Sequence, residues 1–279
     1  MLVEPARRVA KPQHIPKPSS WSSNGITAAW LGHATVLINF YGINILTDPT
    51  LYPRIGASLK MGTVGPKRFI APPLPPSQLP KIDLVLLSHA HLDHMDLPSL
   101  HRITPEAKVV TAHATSDILR HTRFSEINEL GWGKKDRLKF AQGDLEIEAI
   151  EVRHWGARWR CDKFRGYNGY ILSREGKKVL FGGDTAMCGL FKPLQAKGPF
   201  ELTVMPIGAY KHGFSWHCTP EEAVWMSNVS GSRYVLPIHH STFPLGQHPR
   251  FEPIQRFEAA IEPERIAVRE VGETFALPA

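Results

Sequence analysis

Three histidines and two aspartates fall within eight residues, from His89 through His91, Asp93 and His94 to Asp96. Imidazoles and carboxylates packed this densely are the donor set of a metal site, and short histidine-rich tracts are themselves a metal signal. In extended backbone, residues two apart face the same side, so His89 and His91 can grip one ion. Asp93 and His94 follow where the chain turns and can reach a second ion a few ångströms away. These ligand types suit zinc, and no thiolate stands among them. Two such ions ~3.5–4 Å apart share a bridging hydroxide near neutral pH, which attacks phosphorus or a carbonyl. One motif cannot close a two-ion site, so further donors are required elsewhere in the chain.

The elements that must position those donors are strands. The apolar run Leu84-Val85-Leu86-Leu87 ahead of the motif reads as a buried strand. Other strands end in the same manner. Leu145 to Val152 runs out at Arg153-His154, and Lys178 to Phe181 at Gly182-Gly183-Asp184. Tyr234 to Ile238 runs out at His239-His240. Taken singly, His154 reads equally well as a core histidine and Asp184 as a turn aspartate. Their recurrence after apolar strands, in this order, makes them candidate ligands, with His239 beside them. Earlier, Ile26 to Trp30, Val36 to Phe40 and Ile43 to Leu46 are short β-rich runs, the last two joined tightly through Tyr41-Gly42. His33 and Asp48 sit at the ends of such runs and form a candidate supporting pair behind the ligands. A strand-end histidine and an Asx turn explain them equally well. His240 either supports the ligands or faces away.

The remaining chain supplies helices and loops. Leu97 to Ile103 and Thr115 to His121 read as helices, with Val109 to Thr111 a strand between them. Thr219 as N-cap and Pro220 at the first position start a helix to about Val229. Pro253 to Ile261 reads as a last helix, followed by a strand at Ile266 to Arg269. Residues 53–80, glycine- and proline-rich, read as a long loop covering the site. Strands first and strand–helix units later favour an α/β layered sheet with helices outside it.

Composition narrows the class. The chain has 279 residues, 42% hydrophobic and 21% charged, ordinary for a globular protein. Residues 1–25 read as an extended N-terminal arm without an apolar leader, and 26–279 as one domain. No apolar stretch approaches a membrane span of ~18–20 residues. Cys161, Cys188 and Cys218 form no paired motif, which fits a reducing compartment, the cytoplasm. A net charge of +7 favours anionic partners. The basic clusters at Arg7-Arg8, Lys67-Arg68, Lys134 to Arg137 and Arg158 to Arg165 carry no nucleic-acid motif and read as solvated surface. Trp155, Trp159 and Trp216 read as core, or as the lining of an apolar pocket.

The series His-x-His-x-Asp-His, then His154, Asp184 and His239, resembles the metallo-β-lactamase superfamily. Trp30-Leu31-Gly32-His33-Ala34-Thr35, Leu46-Thr47-Asp48-Pro49, Gly65-Pro66-Lys67-Arg68-Phe69, Gly182-Gly183-Asp184-Thr185, Pro206 to Tyr210 and Thr219 to Ala223 are similar to its N-acylphosphatidylethanolamine-hydrolysing phospholipase D branch. The likeness spans about residues 26 to 262. It implies a metallo-β-lactamase-like αββα sandwich, two mixed sheets with helices on the outer faces. It also implies two zinc ions per chain, with Mn2+ or Fe2+ as alternatives. His89, His91 and His154 would hold one ion, Asp93, His94 and His239 the other, and Asp184 would bridge them. His217 falls where that family has an active-site histidine. As catalytic groups, Asp93 would orient the hydroxide, and His217 would stabilise an oxyanion or protonate the leaving oxygen.

The expected activity is hydrolysis of phosphodiesters of the N-acylphosphatidylethanolamine kind. A lactone or ester hydrolase acting on a sugar-phosphate or acyl substrate is the alternative, and a metal-binding scaffold the non-enzymatic one. Expected partners are a small molecule or lipid bearing phosphate or ester, a membrane surface contacted peripherally and a second copy in a homodimer, with no nucleic acid. The chain departs from that branch in following His239 with His240 and in the loop around Phe214-Ser215-Trp216.

Overall fold

The computed structural model describes residues 8–59, 62–159, 161–211 and 216–277. The first part of the chain forms β1 (Ile26–Gly32), β2 (Thr35–Phe40), β3 (Ile43–Thr47), the small hairpin β4 (Ala57–Leu59) and β5 (Gly62–Val64), then β6 (Leu84–Leu86), β7 (Lys108–Ala112) and β8 (Ile127–Leu130). Short helices α1 (Leu97–Leu100) and α2 (Ser116–Leu119) follow β6 and β7. The second part forms β9 (Lys135–Phe140), β10 (Gly143–Ile150), β11 (Gly169–Arg174), β12 (Lys177–Phe181), β13 (Phe200–Pro206), α3 (Pro220–Ser230), β14 (Ser232–Ile238), α4 (Glu252–Ala260) and β15 (Thr274–Ala276).

Two mixed sheets result. One runs β15-β1-β2-β3-β6-β7-β8, the other β14-β13-β12-β11-β10-β9. Alternation along the strands builds three apolar layers. Ile26, Ala28 and Trp30 of β1 turn inward and meet Ile147, Tyr170, Phe181 and Val204 of the opposite sheet. Ala29 and Leu31 turn outward to Leu100 and Leu119 beneath α1 and α2. On the far side, Leu180 and Val235 pack under Ala223, Met226 and Phe257 of α3 and α4. The architecture is the expected αββα sandwich. α3 is held by a full capping box: Thr219 accepts from the Glu222 amide and the Glu222 side chain accepts from the Thr219 amide.

Strand direction gathers the site. β3 and β6 are parallel, as are β12, β13 and β14. β1 returns through β2 to run with β3, and β10 returns through β11 to run with β12. The C-terminal ends of β1, β3, β6, β10, β12 and β14 therefore lie at one edge of the sandwich, where the two sheets meet.

Several expectations need correction. Ile266 to Arg269 is not a strand. Ile266 makes one isolated bridge to Val235, and the terminal strand is β15, paired with β1. The helix expected over Leu97 to Ile103 shrinks to one turn capped by Asp96, and that over Thr115 to His121 to Ser116–Leu119. β8, with its polar Asn128 and Glu129, was not anticipated. The 53–80 segment is not structureless, since it carries the β4–β5 hairpin. Arg68, read as surface, is fully buried: its guanidinium donates to the Thr50 carbonyl at 3.2 Å and lies 5.2 Å from the Phe243 ring. Burial pulls it down to about 9 against the opposing charge of Asp96. Trp155, Trp159 and Trp216 are exposed rather than core. Residues 1–7 of the N-terminal arm and 212–215 of the loop before Trp216 lie outside the described residues.

Candidate metal centre

Backbone conformation at the strand ends is unusual. His33, Asp48 and His239 all adopt positive φ, at 54°, 31° and 63°. Gly183 does so at 57°, and a Cβ there would stand 2.7 Å from the Asn168 carbonyl oxygen, so only glycine lets Asp184 enter. Left-handed non-glycine residues cost free energy and persist where packing over-determines them, commonly at functional sites.

The side chains from these ends converge in two sets. In the first, His91 Nδ1 lies 2.8 Å from His89 Nε2 and 3.3 Å from His154 Nε2. In the second, Asp93 Oδ2 lies 3.5 Å from His239 Nε2 and 3.7 Å from His94 Nε2. His33 Nε2 approaches the same oxygen to 3.0 Å. Asp184 stands between the sets, its Oδ2 3.0 Å from His94 Nε2, 3.3 Å from His239 Nε2 and 3.8 Å from His154 Nε2. Ligands at ~2.0–2.2 Å from a tetrahedral zinc stand roughly 3.3 Å apart, so the spacing fits a cation in each set. A second sign is orphaned polarity. His94 Nε2, His239 Nε2 and Asp184 Oδ1 are buried with no hydrogen-bond partner among the described residues. Such atoms are costly to bury unless a ligand completes them.

The partners behind the rings fix which nitrogen faces inward. Asp48 accepts from His94 Nδ1 at 2.7 Å and, through Oδ2, from the Ser88 hydroxyl at 2.5 Å. With its proton committed to Asp48, the Ser88 oxygen accepts from His89 Nδ1 at 2.8 Å. One buried carboxylate thereby sets the tautomer of a ring in each set. His154 Nδ1 donates to the Trp216 carbonyl at 3.0 Å, which leaves its Nε2 lone pair inward.

The charges follow. Burial, reinforced by neighbouring imidazoles, holds His89 well below its usual range, and burial holds His91 at about 4. These rings are neutral and available as ligands. Burial alone would lower His239 and His94 and raise Asp184. The attraction between carboxylate and imidazole wins instead, with His239 at about 9, His94 raised and Asp184 well below the carboxylate range.

His217 also reaches the cluster, its Nδ1 3.8 Å from Asp184 Oδ2 and its ring 5.2 Å from that of His154. Burial lowers it to about 4. His33 and Asp48 both stand behind the donors, His33 against Asp93 and Asp48 against His94 and, through Ser88, His89. Among the described residues His240 joins no donor group, and it stacks on Trp30 at 4.4 Å. Two contributors went unread in the sequence. Ser88 is signalled only by its place between strand and motif. Arg158 was read as surface; its Nη1 donates to the carbonyls of Ala90 and Met95 at 3.1 and 2.9 Å, bracketing the loop that carries His91 to His94.

Comparison with known proteins agrees with this geometry. The family described as "Beta-lactamase superfamily domain" matches residues 43–240. An uncharacterized protein of Mycobacterium tuberculosis is 32% identical over 277 residues, covering 94% of this chain and 72% of the relative. An N-acyl-phosphatidylethanolamine-hydrolyzing phospholipase D of Caenorhabditis elegans is 32% identical over 239 residues, covering 81% of this chain and 66% of that longer protein. Among solved structures, a metallo hydrolase from Ignicoccus hospitalis superposes with a TM-score of 0.66 at 22% identity, over 91% of this chain and 99% of the other, a likeness of fold. The chain belongs to the beta-lactamase superfamily domain family. With its His/Asp cluster, it is a metal-dependent hydrolase of that superfamily.

Proposed function

We propose that the chain cleaves phosphodiester bonds in the manner of a phospholipase D, on N-acylphosphatidylethanolamine-like or related phosphodiesters, with a pair of zinc ions as cofactor. The observation that carries this reading is the pairing of two donor sets about Asp184. His89, His91 and His154 would hold one ion, and Asp93, His94 and His239 the other, with Asp184 shared. Bound there, the ions supply Lewis-acid polarisation and acidify a water for attack near neutral pH. The chain's own residues do the rest. Asp93 is the most open carboxylate of the cluster, its side chain 22% exposed, and is placed to orient the attacking water. His217, neutral at pH 7, donates a hydrogen bond to the oxygen on which charge develops. The likeness to the nematode phospholipase favours phosphorus over carbon as the electrophile. The net charge of +7 favours capture of an anionic substrate.

The test is turnover of bis(p-nitrophenyl) phosphate and of N-acylphosphatidylethanolamine vesicles against a lactone panel, with chelated protein as blank. Phosphodiester cleavage that returns on adding Zn2+ supports the reading. Cleavage of lactones alone overturns it in favour of a lactonase.

A further inference from the structure

His33 is built into the edge of the sandwich at three backbone points and at a conformational cost. Its amide donates to Thr242 Oγ1 at 2.8 Å. Its carbonyl accepts from the Trp30 indole at 2.8 Å and from the His239 amide at 3.0 Å. Its φ of 54° is a left-handed value uncommon outside glycine, though histidine adopts it more readily than most residues. Trp30 and Thr242 thereby fix the backbone from which this imidazole projects. That imidazole ends 3.0 Å from Asp93 Oδ2, the nearest contact the oxygen makes with any ring of the cluster.

Two roles compete, since His33 Nε2 also falls within ligand range of Asp93, His94 and His239. Among the ligand rings, His89, His94 and His154 give their outer N–H to a partner, while His91 Nε2 and His239 Nδ1 find none among the described residues, so the outer nitrogen does not decide between the roles. The contact that favours a supporting role is the 3.0 Å between His33 Nε2 and Asp93 Oδ2, the length of an N–H donated to a carboxylate.

We propose that His33 is a positioning residue, whose Nε2–H holds the carboxylate of Asp93 in the second donor set and keeps this partly exposed side chain from swinging toward solvent. The inference rests on the reading of that set as a metal site, and not on the identity of the substrate. A glutamine at this position carries an N–H of similar reach; a phenyl ring fills the space without one.

The test uses the full chain as wild type, His33→Gln and His33→Phe, each loaded with Co2+ and with Zn2+ after a thermal melt confirms folding. Titration calorimetry reads the affinity of each metal equivalent, and the visible Co2+ spectrum reads the coordination sphere. The expected result is that His33→Phe weakens the second equivalent by ~10–100-fold and leaves the first alone, while His33→Gln restores it to within about threefold. An unchanged second affinity in His33→Phe overturns the proposal and leaves a packing role. Equal loss in both variants, with a Co2+ band altered as by removal of a nitrogen ligand, overturns it in favour of direct ligation. None of these readings requires the enzyme to turn over a phosphodiester, so a failure of the proposed substrate class shows separately.

Discussion

At the scale of residues, the arrangement separates groups that hold charge from groups that move it. Asp184 is enclosed by imidazoles and serves both donor sets, whereas Asp93 opens toward solvent. Asp93→Asn should weaken the second metal equivalent and, in protein loaded with both equivalents, lower kcat more than ~100-fold, because the amide is a poor proton acceptor. A loss of threefold or less, measured on protein of proven metal content, would remove Asp93 from the chemistry. The carboxylates also keep protons on His94 and His239, the latter up to about 9. A cation must displace both, so zinc binding at pH 7.5 should release at least two protons per chain, and a third where a bound water ionises. The sign follows: below the raised values protons compete with the metal, and affinity climbs with pH until these rings are neutral. Calorimetry in buffers of different ionisation enthalpy counts the protons, and a count near zero would mean that both rings are already neutral. Much of this was readable beforehand, because the donors are chemically conspicuous and each follows an apolar run. The roles of Ser88 and Arg158 were not, because a hydrogen-bond partner is chosen by tertiary placement that a linear pattern does not encode. His240 shows the converse, a histidine in a suggestive position whose ring is taken up by Trp30.

Among elements, strand ends are the functional units. Their side chains meet only because the parallel pairs β3–β6 and β12–β13–β14 deliver their C-termini to one edge. Strands with strong β-branched or apolar runs were found from sequence. The polar β8 and the three-residue β15 were missed, since pairing with a neighbour rather than local propensity stabilises them. The turn after β13 approaches His239 so closely that a Cβ on Gly208 would stand 1.9 Å from its carbonyl oxygen. Gly208→Ala should therefore push the β14 end outward, lower Tm by roughly 5 °C and impair the second metal equivalent. A variant with wild-type Tm and full metal binding would show that this edge tolerates displacement.

For the molecule as a whole, the donors come from both halves. His33, His89, His91, Asp93 and His94 belong to one sheet, and His154, Asp184 and His239 to the other, so bound cations would staple the sandwich along its open edge. Chelation should lower Tm by ~10 °C, with recovery on adding Zn2+, as expected for a ligand held at ~1,000 times its dissociation constant. No change in Tm on complete metal removal would mean that the apolar layers alone set stability. The α/β layering with helices outside followed from the order of strands and strand–helix units, and the two-sheet sandwich from the family resemblance. The buried Arg68 did not, because nothing in a basic dipeptide foretells a guanidinium enclosed by carbonyls and a phenyl ring. No helix among the described residues is long and apolar enough to cross a membrane.

The most direct measurement is anomalous diffraction at the zinc absorption edge from crystals of the zinc-loaded chain. Two peaks are expected ~3.5–4 Å apart, one among His89, His91 and His154, the other among Asp93, His94 and His239, with Asp184 touching both. A single peak, or none within reach of Asp184, would contradict the two-ion reading.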